Sequence, residues 1–169
     1  AIEKAGWNKM TQVRQEVTFT DGKVYVRGRM TSRGARKRAD YILYYKPNIP
    51  IAIIEAKDNK HSIRSGMQQA LNYARILHIP FVFSGNGDGF LFHDHSIGEG
   101  NVETELGNEE FPSPQELWEK YKQYKGISTP DAEKMVEQDY FFDGSGKTPR
   151  YYQQTAINLS VEAIAKGQN

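Results

Sequence analysis

Two apolar stretches, Ala39-Asp40-Tyr41-Ile42-Leu43-Tyr44-Tyr45 and Ile51-Ala52-Ile53-Ile54-Glu55-Ala56-Lys57, decide the fold of this 169-residue chain. Both are rich in the β-branched and aromatic residues that favour strands. Turn-forming residues lie between them, so the sequence predicts two neighbouring strands. Successive side chains of a strand point to opposite faces, and Glu55 and Lys57 therefore share a face. If the strands pair, Asp40 comes near Glu55, and two carboxylates and a lysine form one cluster.

Two interpretations of this cluster remain open from the residues alone. Glu55 and Lys57 could form a surface ion pair, which contributes little to stability. Alternatively, the two carboxylates could hold a divalent cation beside the lysine, because hard cations prefer oxygen ligands and promote hydrolysis. Two other acid-x-lysine pairs occur in the chain, one in a turn and one in a polar loop. Only Glu55 and Lys57 end an apolar strand, where charges are costly unless they are partnered.

The surrounding pattern predicts an α/β sandwich around a mixed sheet, followed by a helical extension. Strands at 13–19 and 23–30, joined by a Thr20-Asp21-Gly22 turn, precede the central pair. An amphipathic helix from about 63 to 78, with Ser62 as its N-cap, follows it. The remaining predictions are strands at 80–84 and 90–92, a loop at 96–110, and helices at about 113–124, 129–138 and 150–165. These elements divide the chain into a core at 1–95, an acidic loop and helical extension at 96–149, and a last segment at 150–169.

Composition limits the classes of protein to consider. The net charge is +1, so bulk charge does not indicate a nucleic-acid partner. The chain lacks cysteine, which excludes disulfides, thiol catalysis and cysteine-ligated zinc. The absence of cysteine also fits a cytoplasmic, reducing compartment, which we expect for this chain. We expect no membrane partner, because no apolar run approaches the length of a membrane span.

A basic segment lies directly before Asp40. It contains Arg27, Arg29, Arg33, Arg36, Lys37 and Arg38. Such runs are often solvated loops, but a cationic segment beside a metal site is also typical of phosphate binding. Arg33, Arg36, Lys37 and Arg38 are therefore candidate DNA-binding residues.

Two further motifs are weaker. His93-Asp94-His95 could supply two zinc ligands, although no further ligands stand nearby in the sequence. Gly144-Ser145-Gly146-Lys147-Thr148 is similar to the end of a phosphate-binding loop, but Phe141 occupies the position of its first glycine. Pro149 follows directly, and the pattern indicates a linker.

Three motifs in order carry a resemblance to a known family. Asp40, the Glu55-Ala56-Lys57 run and the Gln69-Ala70-Leu71-Asn72-Tyr73 run resemble the PD-(D/E)xK nuclease domain of the motor (R) subunit of type I restriction enzymes. The likeness covers about residues 1 to 95 and resumes at Arg150-Tyr151-Tyr152-Gln153. Ala39 stands where the proline that names the motif would be.

The resemblance implies a restriction-endonuclease-like core and metal-assisted hydrolysis of DNA. Asp40, Glu55 and the main-chain carbonyl of Ala56 would hold Mg²⁺. Lys57 would orient the attacking water or neutralise charge, and Gln69 would position Lys57 or the scissile phosphate, with Tyr73 beside it.

The resemblance also implies the setting in which such a domain works. Double-stranded DNA would be cut without intrinsic sequence specificity, and methyltransferase and specificity subunits would be partners. Gln153 would contact adenine, and ATP would bind only to the full-length motor subunit. The alternative is a catalytically silent DNA-binding or coupling module that cuts only in the full complex.

Overall fold

The computed structural model describes residues 1–21, 24–140, 144, 146 and 148–167, with the backbone alone for residues 24, 25, 32 and 33. Within this part of the chain, eight strands and four helices form. The strands are β1 (Val13–Phe19), β2 (Val24–Arg27), β3 (Met30–Arg33), β4 (Lys37–Lys46), β5 (Ile49–Ala56), β6 (Phe81–Gly85), β7 (Gly89–Asp94) and β8 (Glu103–Gly107). The helices are α1 (Met67–Leu77), α2 (Pro114–Lys125), α3 (Pro130–Val136) and α4 (Tyr151–Ala165).

A six-stranded sheet in the order β1-β4-β5-β6-β7-β8 forms the centre of the molecule. Strands β5 and β6 are parallel and are connected through α1, and the other neighbours in this sheet are antiparallel. The prediction of a mixed α/β fold is confirmed. None of the described helices is long and apolar enough to cross a membrane.

Strands β4 and β5 are buried on both faces, which explains their continuous apolar sequence. On one face, Ile42 and Ile53 pack with residues of α1; on the other, Leu43 and Ile54 join a cluster that includes Trp118 of α2. The sheet therefore lies between α1 and the helical extension. This arrangement fixes the end of β5, where Glu55 lies, against the beginning of α1.

The first hairpin differs from the prediction. Strand β1 pairs with β4, not with the segment after it, whereas β2 and β3 form a separate two-stranded sheet. Phe19 is buried against the α1 side of the core, a position that the polar hairpin cannot offer. Gly28 has a φ of +61° and allows the tight β2–β3 turn. Residues 22 and 23 of the predicted Thr20-Asp21-Gly22 turn lie outside the described part of the chain.

Strand β8 lies within the segment predicted to be a loop, and that prediction is wrong. β8 extends the sheet beside β7, with Phe90 opposite Leu106 and His93 opposite Glu103. An edge strand can carry exposed charges that discourage further strand pairing, and this composition hid the strand in the sequence. The division of the chain at residue 95 stays a prediction, but the main sheet continues to Gly107.

Helix α1 begins four residues later than predicted. Gly66, not Ser62, is its N-cap. The Ser62 hydroxyl lies 3.2 Å from the Ser65 hydroxyl, while the Gly66 N–H donates to Ser84 Oγ over 3.1 Å. A tertiary contact thus sets the start of the helix. In contrast, a local capping box starts α2 at the predicted position, since the Ser113 hydroxyl and the Glu116 carboxylate each accept the other's backbone N–H.

Candidate active site

Asp40 and Glu55 lie on adjacent antiparallel strands, one position beyond the Tyr41–Ile54 pair. The backbone N–H of Asp40 donates to Glu55 Oε1 over 3.4 Å, and the N–H of Ala56 donates to Asp40 Oδ2 over 2.9 Å. The side chain of Glu55 is fully buried, at 0% exposure. The two carboxylates are thus held together by the register of β4 and β5.

Helix α1 brings Gln69 to the same point. Its Nε2 donates to Glu55 Oε2 over 2.7 Å. This approach depends on Gly66, because a Cβ at that position would lie 2.8 Å from Ser84 Oγ and 3.0 Å from Glu55 Cβ. Local sequence patterns do not indicate the roles of Gly66 and Ser84, because these roles depend on contacts between distant segments.

Lys57 supplies a cation beside the buried carboxylate. Its Nζ lies 3.8 Å from Glu55 Oε2, and its side chain is 29% exposed. Its backbone N–H donates to Gly85 O over 2.8 Å, which ties the end of β5 to β6. The predicted common direction of Glu55 and Lys57 is therefore observed, and their ion pair is half sheltered from solvent.

The surroundings of Glu55 disfavour its charged form. Burial, followed by the charge of Asp40, raises the pKa of Glu55 to about 7, while the Asp40 backbone N–H and the Lys57 ammonium partly oppose this rise. Two carboxylates facing each other with so little compensation favour the binding of a cation. A proton or a cation bound beside Glu55 would relieve this unfavourable charge.

The donor set fits a hard divalent cation. Asp40 and Glu55 offer carboxylate oxygens, and the carbonyl of Ala56 belongs to the residue whose N–H already contacts Asp40. Within the described part of the chain, no group of three or more His, Cys, Asp or Glu side chains could hold a metal. The remaining ligands would thus be carbonyl oxygen and water, which is typical of Mg²⁺ sites.

Tyr73 lies one helical turn beyond Gln69. Its ring meets Phe19 edge to face at a centroid distance of 5.1 Å, and Lys37 Nζ lies 5.9 Å from its centroid. Burial and then the charge of Glu55 raise the pKa of Tyr73, against a hydrogen bond with Gln69. Tyr73 therefore lies beside the carboxylate cluster and packs one edge of it.

Comparison with known proteins identifies the family to which this chain belongs. The family model described as Type I restriction enzyme R protein N terminus (HSDR_N) matches residues 10–106. This chain belongs to that family. It is 53% identical over 170 residues to the Type I restriction enzyme EcoAI endonuclease subunit of Escherichia coli, covering 100% of this chain and 21% of that protein.

A solved structure extends the comparison to the fold. It is a fragment assigned to an HsdR subunit of a type I restriction enzyme from Vibrio vulnificus YJ016, with a TM-score of 0.79 and 38% identity over 98% of this chain and 30% of that one. The R-protein N terminus described here thus spans about a fifth of the curated relative's length and under a third of the solved chain.

In this R-protein N terminus, the predicted DNA-binding residues differ in their contacts. Lys37 reaches the ring of Tyr73, and Arg38 Nη1 lies 3.4 Å from Glu16 Oε1 in an exposed ion pair. Arg36 is exposed. Arg33 ends β3, but its side chain lies outside the described part of the structure. Their contact with DNA stays a prediction.

Among the residues that the structure describes, the histidine pair gains no further metal ligand. The rings of His93 and His95 are 4.6 Å apart, and His93 Nδ1 lies 3.3 Å from Glu103 Oε1. Since no described group of three such side chains could hold a metal, the pair has no further side-chain ligand among these residues. Glu103 partners His93 as an edge-strand neighbour.

Gln153 has a local role at the start of α4. Its Oε1 accepts the Arg150 backbone N–H over 3.0 Å, so it caps the helix in this R-protein N terminus. Its contact with adenine stays a prediction for the longer protein. Ser145 and Lys147 of the phosphate-loop-like motif lie outside the described residues.

Proposed function

We propose that this chain is a restriction-endonuclease-like nuclease domain of the PD-(D/E)xK type, which hydrolyses DNA phosphodiester bonds with Mg²⁺ and has no sequence specificity of its own. The observation that carries the proposal is the buried Glu55 carboxylate, which faces Asp40 and has a pKa raised to about 7. The negative charge of Glu55 is unfavourable in the free protein, and a bound cation would neutralise it. Membership of the R-protein family supports the same activity.

In this proposal, Asp40, Glu55 and the Ala56 carbonyl hold the ion. Bound Mg²⁺ would supply a water of lowered pKa and would stabilise charge that develops on the phosphate. The hydrogen bond from Gln69 holds Oε2 of Glu55 in place and favours its charged form. Lys57, with an ammonium 3.8 Å from Glu55, can orient the attacking water by donating to it or neutralise the phosphate.

The basic segment before Asp40 would guide the DNA backbone. Arg36, Lys37, Arg38 and Arg33 precede Asp40 directly in the sequence. Phosphate contacts set register and orientation but carry no sequence information, which agrees with a nuclease without specificity. Specificity and methyltransferase subunits, ATP bound near Gln153 and a cytoplasmic location belong to the proposal for the longer protein.

The test uses supercoiled plasmid with Mg²⁺ and the chain of residues 1–169. We expect the wild-type chain to nick the plasmid, and Glu55→Gln or Lys57→Ala to abolish nicking while the fold persists. Lys134→Ala is the control, because it removes an exposed lysine of α3. Nicking at the wild-type rate by both site variants would refute the proposal.

A silent coupling module is the second candidate, favoured by the small share of the relative's length that this chain spans. It predicts plasmid binding without nicking. It also predicts a calorimetric Mg²⁺ titration that is the same for the wild-type chain and for Asp40→Ala. The nuclease proposal requires a metal signal that Asp40→Ala removes.

A further inference from the structure

The two-stranded β2–β3 sheet is set apart from the six-stranded sheet. Val26 opposes Thr31, and Arg27 opposes Met30 across its ladder. Directly opposed residues of an antiparallel pair point to the same face, so Arg27 and Met30 share one face. All residues from 26 to 31 are exposed. The hairpin, defined here as residues 24–33, thus presents its tip to solvent.

This tip is both cationic and apolar. Val26 is 69% exposed and Met30 is 73% exposed. Such high exposure is unusual for large apolar side chains unless a partner covers them. Within the described part of the chain, Arg27 and Arg29 take part in no ion pair. The 18 residues between Asp21 and Asp40 include no acid and seven lysines or arginines. Charge complementarity therefore favours a polyanion as the partner.

We propose that this hairpin inserts into the major groove of duplex DNA near the scissile phosphate. A strand of four residues is about 13 Å long, and a two-stranded ribbon fits the major groove of B-DNA, which is about 12 Å wide. The face that Arg27 and Met30 share points into the groove, where Met30 contacts the apolar base edges and Arg27 and Arg29 contact phosphates. This inference rests on the proposed function, in which DNA is the substrate.

The position of the hairpin agrees with a contact close to the cleavage site. Eleven residues lie between Gly28 and Asp40, and the twelve Cα–Cα steps that join them span at most about 40 Å. One turn of B-DNA is about 34–36 Å long. The hairpin thus reaches DNA within roughly one turn of the phosphate at Asp40 and Glu55. The base of the hairpin is closed where Gly34 approaches Asp21, because a Cβ at Gly34 would lie 1.9 Å from Asp21 Oδ1.

The experiment measures binding without Mg²⁺, so it does not depend on cleavage. Fluorescence anisotropy compares the wild-type chain, Arg27→Ala/Arg29→Ala and Met30→Ser. Lys134→Ala/Lys166→Ala removes two exposed cations elsewhere and serves as the charge-matched control. The probes are a DNA duplex, the same duplex carrying glucosylated 5-hydroxymethylcytosine, whose sugar fills the major groove, and an RNA duplex of equal length.

We expect Arg27→Ala/Arg29→Ala to weaken DNA binding by about tenfold or more at 0.1 M salt and to reduce the salt slope by about 1.8. Met30→Ser weakens binding severalfold and leaves the slope unchanged. The sugar in the major groove weakens wild-type binding but not binding by the hairpin variants, and the RNA duplex binds more weakly because its major groove is narrow.

Hairpin variants that bind DNA like the double-lysine control would overturn the inference, as would equal binding of plain and glucosylated DNA. Preferred binding of the RNA duplex would overturn it as well. Failure of the nuclease proposal can be distinguished from failure of this inference. If the nuclease proposal is wrong, Glu55→Gln, a variant that keeps the hairpin, still nicks plasmid like the wild-type chain. That variant should still discriminate plain from glucosylated DNA.

Discussion

Gln69 Nε2 lies 2.7 Å from Glu55 Oε2, and this hydrogen bond joins helix α1 to the buried end of strand β5. The acceptor is a carboxylate with a pKa raised by burial and by Asp40 to about 7. A donor to the charged form of an acid favours that form. Gln69 therefore acts on the protonation state of Glu55 as well as on its position.

Removing this donor should move the pH dependence of cleavage. In Gln69→Ala, the pKa of Glu55 rises further, so we expect at least about a tenfold loss of nicking at pH 7, since a hydrogen bond to a charged group contributes roughly 1.5–3 kcal/mol. Part of the loss should be recovered as the pH rises. Gln68→Ala, an exposed neighbour on α1, is the control. A rate profile with an unchanged midpoint would rule out this role.

Glu55→Gln should make the free protein more stable at alkaline pH. The pKa of Glu55 is raised from 4.5 to about 7 in the folded chain, so the folded state binds the proton more tightly than the unfolded state does. Stability from this group is therefore full below about pH 4.5 and is lost as the pH rises to about 7. The difference is at most about 3 kcal/mol. Urea unfolding at pH 5 and pH 8 without divalent metal measures it.

The difference in the free energy of unfolding between Glu55→Gln and the wild-type chain should become smaller at low pH. Glu55→Gln should exceed the wild-type free energy of unfolding at pH 8 and lose that advantage at pH 5. A variant that is less stable than wild type at pH 8 would contradict the raised pKa.

Gly66→Ala should disturb the site through packing. A Cβ there would lie 2.8 Å from Ser84 Oγ and 3.0 Å from Glu55 Cβ, and overpacking of this kind costs about 1–3 kcal/mol. We expect a lower melting temperature and reduced nicking, with partial recovery of stability in Gly66→Ala/Ser84→Ala. Gly98→Ala is the control, because nothing lies within 4 Å of its Cβ position. Equal stability of the two alanine variants would show that α1 adjusts freely.

A chain that ends after residue 95 should not reach the native fold. It would lack β8, and it would uncover Phe83, which contacts Phe111 at a centroid distance of 4.7 Å, and Tyr45, which stacks on Trp118 at 4.3 Å. Deleting the exposed residues 98–100 is the control, because β7 and β8 can still pair. Near-ultraviolet circular dichroism distinguishes the two, and a cooperative melt of the 1–95 chain would show that the core is complete without β8.

Local signals in the sequence predicted much of this structure. The runs around Leu43 and Ile53 are continuously apolar because both faces of their strands are buried. This pattern predicted two neighbouring strands, and their pairing predicted that Asp40 lies near Glu55. The capping box of Ser113 and Glu116 needs only residues three apart. Such features require no knowledge of the rest of the chain.

The features that escaped prediction depend on distant partners. The start of α1 is set by Gly66 against Ser84, 18 residues away. Strand β1 pairs with β4, where Phe19 is buried in the core beside α1. The turn predicted after Phe19 does not determine this pairing. The charged sequence of β8 fits an edge strand as well as a loop. Tertiary contacts outweighed local preference at each of these points.

Crystals grown with Mn²⁺ test the central claim most directly, through anomalous scattering at the manganese edge. We predict one strong peak that contacts carboxylate oxygens of both Asp40 and Glu55 and is lost in Asp40→Asn crystals grown in the same way. Crystals without a peak between these carboxylates, from a chain that nicks plasmid under the same conditions, would contradict the proposed metal site.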